Sequence, residues 1–221
     1  MIKNAVIKNA VVKNAVLLGL FALVTALILS TTNQLTSAKI AEVEHRAAQQ
    51  ALIDILPKQL HDNQLVLETS EIPPEFWSIL GLTEGGMAHI AKNGTGIVAA
   101  IIPSVSRLGY SGDIKMLVGI EMNGSITGVR VTDHAETPGL GDKIELRKSE
   151  WILSFNHRSL QNTDTSQWAV RKEGGDFDQF TGATITPRAV INQVLATLNY
   201  IEDDGERLFA AKTHYSSGDQ P

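Results

Sequence analysis

The chain contains no cysteine in 221 residues. Structural disulfides, thiolate metal sites, iron–sulfur ligation and cysteine nucleophiles are therefore excluded for this chain. Any redox centre it carries must be organic or supplied by a partner. The six histidines are scattered and none forms a pair at ligand spacing, so no zinc site is expected. Ser104, Ser106 and Ser111 lie outside any nucleophile-elbow context, and no hydrolase triad can be nominated. A basic excess is missing as well: the net charge is −5 with basic residues dispersed, which argues against a nucleic-acid partner.

The N-terminus carries three copies of a five-residue unit, Ile2-Lys3-Asn4-Ala5-Val6 and its repeats through Val16. Lys3, Lys8 and Lys13 are the only charges before an uncharged run from Asn14 to Ala38, whose apolar heart is Ala15 to Leu29. That heart is slightly short of the ~20 residues a span needs, but Thr31, Thr32 and a snorkelling Lys13 extend it. A single transmembrane helix over 15–35 is expected, with the basic segment 1–14 in the cytoplasm and the remainder outside. A cleavable signal peptide ending at Thr36-Ser37-Ala38 is the competing reading, and the length of the apolar run favours retention. Both readings export the rest of the chain, which for a bacterial protein means the periplasm.

After the anchor, 36–62 is expected to be a juxtamembrane segment in which Ile40 to Leu56 forms an amphipathic helix. Ala48, Ala51, Leu52 and Ile55 share one of its faces, and Pro57 ends it. Asn63 to Gly86 reads as loop or edge structure. Two hairpins follow, Met87–Ala91 with Thr95–Ile102 around Asn93-Gly94, and Lys115–Glu121 with Ser125–Thr132 around Asn123-Gly124. Helix is expected after Gly141, through Ile144, Leu146, Trp151, Ile152 and Phe155. The fold class is α+β, a twisted antiparallel sheet with flanking helices, in a domain over 63–205. The polar tail 206–221 ends in a stretch, His214–Pro221, expected to lack fixed structure. Trp151, Trp168 and Phe180 are expected in the core, with Phe180 close enough to Thr184 to touch a ligand there.

The segment Asp178-Gln179-Phe180-Thr181-Gly182-Ala183-Thr184-Ile185-Thr186-Pro187 announces a helix start. Thr186 suits an N-cap and Pro187 a first helical residue, and Ala189, Val190, Val194, Leu195, Leu198 and Ile201 follow at helical spacing. Thr184 then stands just ahead of unpaired N–H groups and the positive end of the helix dipole, a position suited to an anionic ester. Gly182 and Ala183 remove bulk beside its hydroxyl. By itself the segment also fits a plain capped helix start.

Asp178 to Thr184 resembles the Asp-x-x-(Ser/Thr)-Gly-Ala-Thr signature at which flavin transferases esterify FMN to a threonine, with Thr181 in place of the commoner serine. His134-Ala135-Glu136-Thr137-Pro138-Gly139-Leu140-Gly141 resembles a marker segment of membrane-anchored FMN-binding domains. Gly109-Tyr110-Ser111-Gly112-Asp113-Ile114 and the second hairpin complete the order of motifs found in that family. The whole chain resembles the G subunit of the Rnf (Rsx) electron transport complex. The related C subunit of the sodium-pumping NADH:quinone reductase shares both site motifs but usually has a Trp-containing sequence where this chain reads Gly-Tyr-Ser-Gly-Asp-Ile.

The resemblance implies a flavoprotein and phosphoprotein carrying FMN as a phosphoester on Thr184. Thr181, Gly182 and Ala183 would lie beside the cofactor, Glu136 and Thr137 would meet its polar edge, and Leu140 would cover a ring face. Asp178 would serve recognition by the flavin transferase, either helping to deprotonate the hydroxyl or binding the transferase's metal. The implied partners are that transferase and the other subunits of an inner-membrane translocase that moves electrons between ferredoxin and NAD, or keeps a redox regulator reduced. No independent catalysis is expected. A membrane-anchored scaffold without redox activity and a free-standing flavin reductase are the readings from other classes.

Overall fold

A long uncharged run can satisfy its backbone in a nonpolar medium only as a helix, since every N–H and C=O then finds a partner within the segment. The computed structural model describes residues 2–56, 65–93 and 96–210, in two compact units, Met1–Arg46 and Ala47–Pro221. Helix α1 spans Ile2–Asp54, with no break at 14/15 or 35/36. Its stretch Val11–Ser37, 27 residues, is long and apolar enough to cross a membrane. Leu17, Leu23 and Leu29 are among its exposed side chains. Even its threonines are satisfied internally: Thr25 and Thr31 donate to the carbonyls of Phe21 and Leu27 at 3.0 and 2.8 Å.

The second unit is built on five strands, β1 (Leu65–Glu71), β2 (Met87–Asn93), β3 (Gly96–Ser106), β4 (Ile114–Glu121) and β5 (Ile126–Asp133). They form one sheet in sequence order, every neighbour antiparallel. Both expected hairpins are present. The tip of the first lies outside the described residues. The second closes through Gly124 N–H to Glu121 O at 2.9 Å, with Gly124 at φ +80° and Asn123 Oδ1 accepting the Ser125 N–H. That is a three-residue loop with glycine in the left-handed position. The segment expected as loop or edge supplies β1, an edge strand, and a 3-10 turn at Pro74–Phe76.

The period of two along the strands sends alternate residues to opposite faces, and both faces are covered. On one, Ile90, Ala100, Ile102, Met116, Val118, Ile120 and Val129 join the main core. Helix α2 (Ile185–Ala210) lies on this face through Val190, Val194, Leu198 and Ile201. Each such aliphatic side chain contributes about 1.5–3 kcal/mol on full burial. Trp151, Phe155, Trp168, Phe177 and Phe180 extend the core as a ring cluster, with Trp151 edge-on to Phe180 at 5.0 Å. The expected core placement of Trp151, Trp168 and Phe180 therefore holds, and Phe180 is turned into this cluster. At its far end, α2 continues to Ala210 with Leu208 fully buried, so helix extends past Gly205 into the expected tail. Arg207 pairs with Asp204 and reaches Glu71 O at 3.3 Å. His214–Pro221 lies outside the described residues.

The opposite face buries Ala91, Ala99, Ile101 and Leu117 under Ile55 and Leu56, with Leu52 packed beside them. Of the expected apolar face of the juxtamembrane helix, Leu52 and Ile55 do pack, whereas Pro57 lies outside the described residues. Ile55 sits on a cross-strand glycine pair, Gly119 opposite Gly128. A Cβ on Gly119 would stand 2.1 Å from Ile55 Cγ2, and one on Gly128 3.2 Å from Ile55 O. Arg130 donates to Asp54 O at 3.0 Å, placing a cation at the C-terminus of α1.

The helix expected after Gly141 is instead two 3-10 turns, Gly141–Ile144 and Glu150–Phe155. Glu145 breaks the run because its backbone is extended (φ −80°, ψ 131°) while its carboxylate is engaged by His134 and Arg147. Ile144, Trp151, Ile152 and Phe155 still reach the core, so the apolar spacing was real but served short turns.

Gly119→Val in the full chain in detergent is expected to lower stability by roughly 1–3 kcal/mol, the cost of overpacking. Thermal unfolding followed by circular dichroism checks it, and an unchanged Tm would show that the glycine pair is not a tight seat for Ile55.

Candidate functional site

In a five-stranded meander the β3–β4 connection and the exit from β5 emerge at the same end of the sheet, as the register pairs Ser106 with Ile114 and Lys115 with Asp133. The first connection carries Gly109 to Asp113 and the second His134 to Gly141. The N-terminus of α2 reaches the same place. The three meet around a cleft of about 330 Å³ lined by Tyr110, Glu136, Thr137, Leu140, Gly141 and the run Gly182 to Thr186.

Each loop has a local cause. Thr137-Pro138-Gly139-Leu140 is a β-turn closed by Leu140 N–H to Thr137 O at 3.1 Å, with Gly139 at φ +79°. Proline at the second and glycine at the third position satisfy the type II geometry. Asp142 holds the turn, its Oδ1 accepting the Gly139 N–H at 2.8 Å. Phe180-Thr181-Gly182-Ala183 is a second such turn, with Ala183 N–H to Phe180 O at 3.1 Å and Gly182 at φ +82°. Trp151 braces it by donating to Asp178 O at 2.8 Å.

Glu136 occupies the centre. It is 4% exposed; Oε1 accepts the Ser111 N–H at 2.9 Å, and Oε2 accepts the Thr186 hydroxyl. One carboxylate therefore ties the three segments together. Two glycines leave room for it: a Cβ on Gly109 would stand 2.9 Å from Oε1, and one on Gly141 3.0 Å from Oε2. The Glu136 N–H donates to His134 Nδ1 at 3.0 Å, so the other ring nitrogen carries the proton toward Glu145 Oε1 at 3.0 Å. Burial pushes the Glu145 carboxyl up, but hydrogen bonds from Arg147 and His134 outweigh it and hold the group below the ordinary carboxylate range.

Of the residues singled out in the sequence, Thr184, Gly182, Ala183, Glu136, Thr137 and Leu140 all line the cleft. Thr181 and Asp178 are exposed and outside that lining; Asp178 pairs with Arg171 at 3.2 Å. Phe180 is 5% exposed and is not part of the lining. Helix α2 begins at Ile185, so Thr186 is not its N-cap: that position falls to Thr184, and the Thr186 hydroxyl is committed to Glu136. Pro187 then occupies the third helical position, where it withdraws one of the N–H groups an N-cap side chain normally binds. Tyr110, 68% exposed, and Ile185, 45% exposed, line the cleft without having been singled out. Tyr110 lies in the Gly109 to Ile114 motif, but only the topology brings it to the cleft that Thr184 lines.

Two family models match the chain, an FMN-binding domain over residues 109–199 and an RnfG N-terminal region over residues 1–55. The first covers all three cleft segments. The G subunit of the ion-translocating oxidoreductase complex of Shewanella loihica is 44% identical over 192 residues, 87% of this chain and 90% of that protein. The proteins of the same name from Shewanella piezotolerans and Pseudomonas aeruginosa are 45% and 44% identical, each over 88% of this chain and 91% and 90% of their own lengths.

A group held below its ordinary value stabilises the fold above that value and loses the contribution as pH falls through the depressed one. Glu145→Gln is therefore expected to destabilise the protein near neutral pH, with a difference from wild type that shrinks as pH falls below the usual 4.5. Urea unfolding across that range checks it, and a constant difference would dissociate the Glu145 charge from the loop's stability.

Proposed function

This chain belongs to the family of ion-translocating oxidoreductase complex G subunits, and from that premise we propose that it is the electron-transfer subunit that carries FMN covalently on Thr184. The observation that carries the reading is the convergence of three separated motif segments on one cleft with Thr184 in its wall. The residues present suit the group. A cleft of about 330 Å³ falls at the lower end of the range for small-molecule sites, roughly 300–1,000 Å³. Its floor ends at the N-terminus of a 26-residue helix, where first-turn N–H groups and the dipole favour a phosphate.

Bound FMN supplies one- and two-electron redox chemistry. The chain supplies attachment, orientation and shielding. Thr184 would hold the group through a phosphoester on its side-chain hydroxyl oxygen, at the start of α2. Gly182 and Ala183 keep the approach to that hydroxyl open, with Thr181 on the exposed side of the turn. Leu140 and Tyr110 present apolar surface for a ring, and Thr137 offers its hydroxyl at the cleft wall. Asp178 lies exposed beside the turn, accessible to the flavin transferase that matures the protein.

In this reading Val11–Ser37 is the single membrane span, with the lysine-bearing N-terminus in the cytoplasm. Unit Ala47–Pro221 stands in the periplasm against the other subunits of the complex. Covalent attachment fits that location, since a carrier outside the cytoplasm could not readily replace lost FMN.

Co-expression with a flavin transferase, followed by acid denaturation, intact-mass measurement and a visible spectrum, tests the reading. Wild type is expected to be yellow with one FMN phosphoryl adduct, and Thr184→Ala to be colourless and unmodified. An unmodified wild type, with the transferase active on a known acceptor, would leave the scaffold role in its place.

A further inference from the structure

We propose that Glu136 is a positioning residue rather than a ring contact: its buried carboxylate fixes where the Thr184 hydroxyl stands by locking the start of α2 to both loops. This deepens the FMN-carrier reading and rests on it.

Burying a carboxylate is expensive unless its oxygens are hydrogen-bonded. Glu136 forms no ion pair among the described residues; its partners are the Ser111 amide and the Thr186 hydroxyl. Through the Thr186 hydroxyl the carboxylate reaches the first turn of α2. An aliphatic residue would remove the burial cost, but would leave the Ser111 N–H and the Thr186 hydroxyl without their partner.

The geometry shows what the carboxylate does. Thr186 is two residues past Thr184, in the first turn of the helix, and is fully buried. Ser111 belongs to the β3–β4 connection and Glu136 to the segment after β5, which leave the sheet at the same end because of the strand register. The Glu136 side chain is therefore the polar link from both loops to the helix turn next to Thr184, added to the apolar packing of α2 on the sheet. His134 holds the Glu136 backbone from behind, and Gly109 and Gly141 close around the carboxylate so tightly that a Cβ at either position would crowd it. With both oxygens engaged and 4% of its surface exposed, Glu136 has little left to offer a ring.

The test compares the rate of FMN attachment by purified transferase on the full chain in detergent, read by intact mass, at a temperature where circular dichroism shows each variant folded. Glu136→Ala and Thr186→Val are expected to slow attachment by on the order of tenfold to a hundredfold, the cost of misplacing a reacting group by about an ångström. Glu136→Gln is expected to stay near the wild-type rate, because its carbonyl can accept from Ser111 while Thr186 reverses to accept from the amide. Leu208→Ala, at the far end of α2, serves as a control for stability loss and is expected to leave the rate unchanged. Wild-type rates for Glu136→Ala, or an equal slowing by Leu208→Ala at a matched fall in Tm, would overturn the positioning role alone. A wild type never modified at Thr184 would overturn it together with the carrier reading.

Discussion

The register of the antiparallel meander is the constraint on which the rest depends. Both faces of β3 and β4 are buried, one against α2 and the ring cluster, the other under Ile55 and Leu56. A slip of one residue would exchange Ile102 and Val118 for Ile101 and Leu117 and ruin both layers at once. With the register fixed, Ser106 pairs with Ile114 and Lys115 with Asp133, so the loops that follow β3 and β5 leave the sheet side by side. The cleft is a consequence of that adjacency.

Adjacency alone leaves loops free to wander, and the cleft is held by polar groups within them. Glu136 joins a backbone amide and a helix hydroxyl, and Asp142 pins the Pro138-Gly139 turn. Trp151 anchors the backbone at Asp178 from inside the ring cluster. The two turns each use glycine in the left-handed region, at Gly139 and Gly182, where a side chain would be strained. The result is a cleft with Thr184 in its wall, backed by the sheet and a long helix.

Much of this was legible in the residues. Alternation and Asn-Gly turns gave the central hairpins, and helical spacing after Pro187 gave α2, because those signals are local and strongly periodic. The segment after Gly141 departs from the expected helix for a physical reason: Ile144, Trp151, Ile152 and Phe155 keep a helix-like spacing, but Glu145 leaves the helical region to serve His134 and Arg147. Thr186 departs from the expected N-cap role for a related one. A threonine before a proline is a good N-cap by itself, and only a buried carboxylate fifty residues upstream makes it a tether instead.

The sequence by itself determined the apolar run, the antiparallel alternation and the chemistry open to a chain without cysteine. These follow from composition, periodicity and short motifs, all of which act within a few residues. Tertiary structure alone decided that Tyr110 faces the same cleft as Thr184, that Gly119 and Gly128 form a seat for Ile55, and that Glu136 is spent inside the protein. Each of those is a contact between residues far apart in the chain, and such contacts exist only once the strand register and the packing of α2 have been set.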